Sequence, residues 1–128
     1  TLDTVTINAK AFNANKNGFH VHMSGTFAGN GNAKTLRFKF NGTTIISNDK
    51  TASPNGVTWV LDLYVMYTGN NTQVLDAKLQ IDCVNQTPVL TTASGDDDTN
   101  LSIVATGQNG TASNNDIRHN VTVAQFIP

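Results

Sequence analysis

Apolar and polar residues alternate with a period of two along most of this chain. Residues 19–27 show the pattern, because Phe19 and Val21 alternate with His20 and His22. Such a period, interrupted by clusters of Gly, Asn, Ser and Thr, is typical of strands with one buried face. It predicts about eight short strands. They lie at residues 5–7, 19–27, 34–40, 43–47, 57–67, 74–83, 101–105 and 117–126, with residues 89–92 as a candidate for one more.

The longest predicted strand, residues 57–67, is apolar on both of its faces. Trp59 falls in phase with the inward positions, whereas Tyr64 and Met66 fall on the opposite side. A strand that is apolar on both sides usually has its second face covered. Exposed apolar residues in a row usually mark an interface. Tyr64 and Met66 are therefore predicted inter-subunit contacts.

Turn signals and composition complete the fold prediction. Asn41-Gly42 between two apolar runs is a strong hairpin signal. No run of ten or more residues has the period of a helix, and every acidic residue is Asp, so the helix former Glu is absent. We therefore predict one all-β domain over residues 1–128, essentially without helix, built as a sandwich or a barrel.

The alternation also predicts the surroundings of particular side chains. Val121 and Val123 are the expected inward residues of the last strand. Lys34, Arg37 and Lys39 form one small basic cluster, which we expect on an exposed strand face.

Charge and cysteine content exclude some classes of partner. The chain has 128 residues, a net charge of −1 and only 13% charged residues, so it lacks the basic footprint of a nucleic-acid-binding domain. No apolar run is long enough to span a membrane. Cys83 is the single cysteine, which excludes an intrachain disulfide and favours assembly in a reducing cytoplasm. Cys83 ends a strand-like run, and we expect it to be buried.

His20 and His22 lie two residues apart on one predicted strand and so point the same way. Together with His119 from the last strand they would form a three-histidine metal site, as in a cupin-like enzyme. A cupin site would add a Glu, which this chain lacks. The alternative is a pair of polar residues on an exposed or subunit-facing strand, which makes both histidines interface candidates.

Other chemical motifs are sparse. Asp96, Asp97 and Asp98 leave calcium binding open, because calcium takes six to eight oxygen ligands. The spacing of an EF-hand is absent, and consecutive Asp residues are common in solvated turns. The chain has neither a nucleophile elbow nor a phosphate-binding loop before a helix. We therefore expect no catalytic residue and no cofactor.

The order of short motifs along the chain resembles that of a bacteriophage virion jelly-roll module, a trimeric and tumour-necrosis-factor-like family. The shared motifs include a Ser-Gly-Thr-Phe-Ala strand end, an Asn-rich turn, a Lys-Thr-Leu-Arg-Phe strand and a long strand centred on Trp. Here the matching positions are residues 24–28, 30–32, 34–38, 42–44, 59, 67–69, 72–73, 106–108 and 116–117.

This resemblance implies an antiparallel jelly-roll β-sandwich with a non-enzymatic role on the surface of the phage particle. The role it implies first is a homotrimeric capsid decoration protein, bound to the phage major capsid protein or another virion protein. The alternative role is a receptor- or carbohydrate-binding tip domain of a tail fibre or spike, with a host-surface glycan as its partner.

Overall fold

The computed structural model describes residues 1–11, 18–50, 57–110 and 116–128, with backbone only at residues 49 and 50. This part of the chain contains ten β-strands and no helix, and hence no helix that could cross a membrane. The strands are β1 (Asp3–Ile7), β2 (Gly18–Phe27), β3 (Lys34–Phe40), β4 (Thr43–Lys50), β5 (Thr58–Gly69), β6 (Thr72–Ile81), β7 (Val84–Asn85), β8 (Val89–Ala93), β9 (Leu101–Asn109) and β10 (Ile117–Ile127).

The strands form two antiparallel sheets that enclose the core. The four-stranded sheet has the order β1-β9-β3-β4. The six-stranded sheet has the order β10-β2-β5-β6, and β7 and β8 both pair with the far edge of β6. The predicted all-β antiparallel sandwich is confirmed. The described strands outnumber the predicted ones because of β7, which has two residues, and β8, which matches the extra candidate.

The inward side chains of both sheets form one hydrophobic cluster. Alternate positions of β2, β3, β5, β6 and β9 are buried, which confirms the period-two pattern of the sequence. Trp59 is completely buried, as predicted, and its ring centroid lies 5.8 Å from that of Phe38 on the opposite sheet. Both sheets therefore contribute large side chains to the same core.

The predicted hairpin at Asn41-Gly42 is present. These two residues connect β3 to β4 with φ angles of 48° and 86°. Positive φ at both central residues is the mark of a type I′ turn, whose twist matches that of the flanking strands.

Cys83 is exposed, so the prediction of a buried thiol is wrong. Strand β6 already ends at Ile81, and Asp82 and Cys83 form a turn with φ angles of 55° and 60° before β7 begins at Val84. The predicted strand ends two residues too late, and the turn places the thiol in solvent.

Lys34 is buried, at 1% exposure, so the predicted basic cluster on an exposed face does not include it. It occupies an inward position of β3, in phase with Leu36. Its Nζ donates to the backbone oxygens of Asn30 and Asn32, at 3.2 and 2.9 Å, and to Oδ1 of Asn30 at 2.8 Å. Three acceptors satisfy the three hydrogens of an ammonium group.

Val121 and Val123 point outward, so the prediction that they face the core is wrong; they are 46% and 56% exposed. In the pairing of β10 with β2, His119 lies opposite Gly25 but Val121 lies opposite Ser24, so one extra residue intervenes in β10. Such a β-bulge reverses the inward and outward positions that follow it.

Candidate functional site

The outer face of the six-stranded sheet combines exposed apolar side chains with interacting ionisable groups. The strand register aligns partner residues across this face in rows. Four rows are Val121–Ser24–Val60–Gln80, Val123–His22–Asp62–Lys78, Gln125–His20–Tyr64–Asp76–Leu90 and Gly18–Met66–Val74–Thr92. We name this surface the open face, because its apolar side chains include Leu90 at 75% exposure and Tyr64 at 36%.

The outer face of the four-stranded sheet has a different character. Among the side chains that the structure describes, its register brings together hydroxyl, amide and cationic groups around one valine, Val104. Arg37 on this face donates a hydrogen bond to Oε1 of Gln108 at 2.9 Å. Only one of the two outer faces is therefore rich in apolar side chains, and it is the face that includes the second side of β5.

The four predicted interface residues lie together on the open face. Asp62 Oδ1 is 3.0 Å from Nε2 of His20 and 3.1 Å from Nδ1 of His22. The rings of His20 and Tyr64 are stacked, with centroids 4.3 Å apart and planes 6° from parallel. Met66 belongs to the adjacent row, where its side chain lies over Gly18.

The His20–Asp62–His22 cluster is internally hydrogen-bonded. An ionised carboxylate only accepts hydrogen bonds, so in this arrangement each of the two ring nitrogens carries a hydrogen that it donates to Asp62. A polar group that already has its partners costs less free energy to cover than one that has none. The cluster is therefore compatible with a face that becomes buried.

His119 does not join the other two histidines. It precedes the bulge in β10 and lies on the inner side of the sheet, with its ring centroid 6.5 Å from that of Trp59. Its Nε2 is 2.6 Å from Oγ1 of Thr122 and 3.5 Å from Oδ2 of Asp3 in β1. The candidate three-histidine grouping is not formed, and the described residues contain no group of three or more His, Cys or Asp side chains able to hold a metal ion.

The three consecutive Asp residues form a hydrogen-bonded turn. Asp97 is 9% exposed; its Oδ1 accepts from Nε2 of Gln73 at 3.0 Å, and its Oδ2 accepts from the backbone N–H of Asn71 at 2.7 Å. Asp96 accepts from the backbone N–H of Asp98 at 2.9 Å. Asp97 thus ties this loop to the beginning of β6, a structural role that the sequence did not reveal.

A groove lies between β4 and β8, the edge strands of the two sheets. Its larger part has a volume of about 350 Å³, an apolar floor that includes Phe40 and Leu75, and walls with the hydroxyl groups of Thr44 and Thr91. A second part of about 300 Å³ continues it past Val89. Among the side chains that the structure describes, none that lines either part is charged, so the groove suits a neutral ligand.

Sequence reasoning missed three members of the open face. Val121 and Val123 reach it through the bulge, and Leu90 reaches it because β8 pairs with β6. The alternation of the last strand carries no mark of the bulge, whereas the apolar Val89-Leu90 pair was a signal for a short exposed strand.

Comparison with known proteins identifies no family for this chain. No protein-family model matches it, and no curated protein matches it. Among solved structures it is similar to sheep galectin-11 in complex with glycerol, at 8% sequence identity, with 96% of each chain covered and a TM-score of 0.37. A likeness of this size supports no argument about function.

Proposed function

We propose that this protein is a non-enzymatic structural protein of the bacteriophage virion, a homotrimeric capsid decoration protein that associates with copies of itself through the open face. The observation that carries the proposal is the contrast between the two outer faces of the sandwich, of which only the open face exposes several large apolar side chains. The trimeric state and the virion location in this proposal rest on the resemblance of the motif order to phage jelly-roll modules.

Burial of the open face would stabilise an assembly. Full burial of an aliphatic side chain is worth roughly 1.5–3 kcal/mol. Scaled by their exposed fractions, Val121 and Val123 contribute about 1 kcal/mol each and Leu90 somewhat more. Several such contributions in each copy offset the ordering of a few side chains and part of the translational and rotational freedom that is lost on association.

The charges of the open face favour another copy of the same chain as its occupant. Asp62 and Asp76 are offset in part by Lys78, so the face carries little net charge. A surface of this kind has no preference for a strongly charged partner, and it is compatible with the other surfaces of this chain, whose net charge is only −1. In a closed trimer each copy uses its open face against a different surface of the next copy.

The test compares two valines on opposite outer faces. Val123→Asp places a charge on the open face, and Val104→Asp places the same charge on the polar face beside Lys39. We expect the wild type and Val104→Asp to be trimers at micromolar concentration in light scattering. Val123→Asp should be monomeric, because burying an unpaired carboxylate costs at least about 3 kcal/mol, which weakens each contact roughly a hundredfold.

Two results would contradict self-association through this face. One is a monomeric wild type at tens of micromolar protein, and the other is a Val123→Asp trimer as stable as the Val104→Asp trimer. Circular dichroism of both variants controls for folding. Imaging of intact phage particles with a labelled antibody tests whether the protein lies on the virion, at the major capsid protein. In this proposal the particle assembles in the host cytoplasm.

A second candidate function is a receptor- or carbohydrate-binding tip domain of a tail fibre or spike. The uncharged, hydroxyl-lined groove between β4 and β8 favours it, since neutral glycans carry no charge to pair. A glycan array probed with the wild type and with Thr91→Val tests it. Binding that is lost in the variant supports a glycan site, and no signal for the wild type excludes it at the affinities that arrays detect.

A further inference from the structure

A buried amine is held against a side-chain amide at the beginning of β3. Lys34 is 1% exposed, and its Nζ lies 2.8 Å from Oδ1 of Asn30. Since a C=O bond is about 1.2 Å long, the carbonyl carbon of this amide is at most about 4.0 Å from the amine. The backbone oxygen of Asn32, at 2.9 Å, helps to fix the amine in this position.

The same amide is hydrogen-bonded at each of its polar atoms. Oδ1 of Asn30 also accepts from the backbone N–H of Asn32, at 3.0 Å. Nδ2 of Asn30 donates to Oδ1 of Asp116, at 2.8 Å. Asp116 is 2% exposed, and its second carboxyl oxygen accepts from Nδ2 of Asn32 at 2.9 Å. A nucleophile, an electrophile, an N–H donor to the carbonyl oxygen and a carboxyl group at the leaving nitrogen are thus assembled in one cluster, in which Lys34 and Asp116 are buried and the two asparagines are partly buried.

We propose that Lys34 and Asn30 join in an intramolecular isopeptide bond, with Asp116 as the group that moves the protons. This modification is independent of the open face and of any assembly. It converts an amine and a primary amide into a secondary amide and ammonia, and it requires neither an oxidant nor another reactant.

The protons and electrons balance within the cluster. One proton passes from the ammonium group of Lys34 to the carboxylate of Asp116, which leaves a neutral amine and a carboxylic acid. The amine lone pair forms a bond to Cγ of Asn30, and the backbone N–H of Asn32 stabilises the negative charge on Oδ1. Asp116 then protonates Nδ2, the Cγ–Nδ2 bond breaks, ammonia leaves, and the proton lost by the attacking nitrogen returns to Asp116.

Proximity favours this reaction. Holding the amine beside the amide replaces a bimolecular encounter by an intramolecular step. In well-oriented reactions this removes a large part of the activation free energy.

Mass spectrometry of the purified wild-type protein tests the proposal. Loss of ammonia lowers the intact mass by about 17 Da relative to the sequence mass. Trypsin does not cleave after a lysine whose amine is acylated, so digestion should yield one peptide spanning residues 17–37, also about 17 Da light. An intact wild-type mass equal to the sequence mass overturns the proposal.

Asn30-Gly31 offers a competing route to the same mass, because an Asn-Gly sequence can cyclise to a succinimide without the lysine. Two variants separate the reactions: Lys34→Arg cannot form the isopeptide bond, and Gly31→Ala slows the succinimide. Loss of ammonia in the wild type and in Gly31→Ala, but not in Lys34→Arg, supports the proposal. Loss of ammonia from Asn30 that persists in folded Lys34→Arg, located by fragmentation of the tryptic peptide, overturns it.

Asp116→Asn tests the proton transfer. It keeps a hydrogen-bonding side chain of nearly the same shape but cannot take up the proton. We expect the rate of cross-linking to fall at least about a hundredfold, the lower end of what a positioned acid–base group supplies. An unchanged rate in the folded variant excludes Asp116 from the reaction.

Discussion

Replacement of Gly25 by alanine tests whether the core of the sandwich is as closely packed as its geometry implies. Gly25 in β2 lies between Trp59 of β5 and His119 of β10. A Cβ atom at this position would lie 1.8 Å from the backbone oxygen of Arg118 and 2.6 Å from Cζ2 of Trp59. Both distances are far below van der Waals contact.

Neither neighbour can move away without a further loss of folding stability. The oxygen belongs to the backbone of β10 next to its pairing with β2, and Trp59 is completely buried. An extra methyl group in a well-packed core costs about 1–3 kcal/mol, and we expect the upper end here, about 3 kcal/mol. For a domain of this size, each kcal/mol of lost stability lowers Tm by roughly 3–5 °C. Gly25→Ala should therefore melt about 9–15 °C below the wild type.

The matched control is Gly31→Ala, because a Cβ atom at Gly31 would have no neighbour within 4 Å. We expect its stability to lie within about 0.5 kcal/mol of the wild type. Thermal melts by circular dichroism, at one protein concentration because association raises Tm, give the comparison. Equal melting temperatures for the two variants would refute the packing argument at Gly25.

Two further predictions concern the turns. Cys83→Gly should stabilise the protein by roughly 0.5–1 kcal/mol in urea unfolding, because glycine adopts the positive φ of this position without the strain of a side chain. The control Cys83→Ser keeps a side chain and should leave the stability nearly unchanged. No gain for the glycine variant would contradict the turn geometry. Asp97→Ala should destabilise by about 2–3 kcal/mol, because it removes the acceptor of one N–H of the buried Gln73 amide and of the backbone N–H of Asn71. Exposed Asp98→Ala should cost less than about 0.5 kcal/mol, and equal losses in urea unfolding would show that Asp97 does not anchor the loop.

The sequence predicts the parts of the fold that depend on neighbours along the strand. Side-chain direction in a strand alternates, so the positions of Trp59 and Tyr64 on opposite faces of β5 follow from parity alone. Lys34 shares the phase of Leu36, so parity alone predicts that it is buried. Its charge led to the opposite prediction, an exposed position. Its buried acceptors come from a loop whose conformation the alternation does not describe.

The clusters that join distant segments could not be predicted. Asp116 meets Asn30 across 86 positions of sequence, and Asp62 meets His20 across 42. Each contact depends on strand order, which alternation leaves undetermined because any pair of half-buried strands has the same pattern. The open face was partly predictable, because the sequence of β5 by itself indicates that the second side of this strand is apolar.

The extra residue of β10, Asn120, explains why the face was only partly predictable. Without the bulge, Val121 and Val123 would keep the inward phase of His119, and polar residues would end the outer rows. With it, Phe126 turns inward, where its ring lies 4.9 Å from that of Phe19 in an edge-on contact. This inward turn of one aromatic ring leaves two valines in solvent. A monomer would therefore lack the free energy of burying them. An assembly that covers the open face recovers it, so the bulge makes physical sense in a protein that associates through this face.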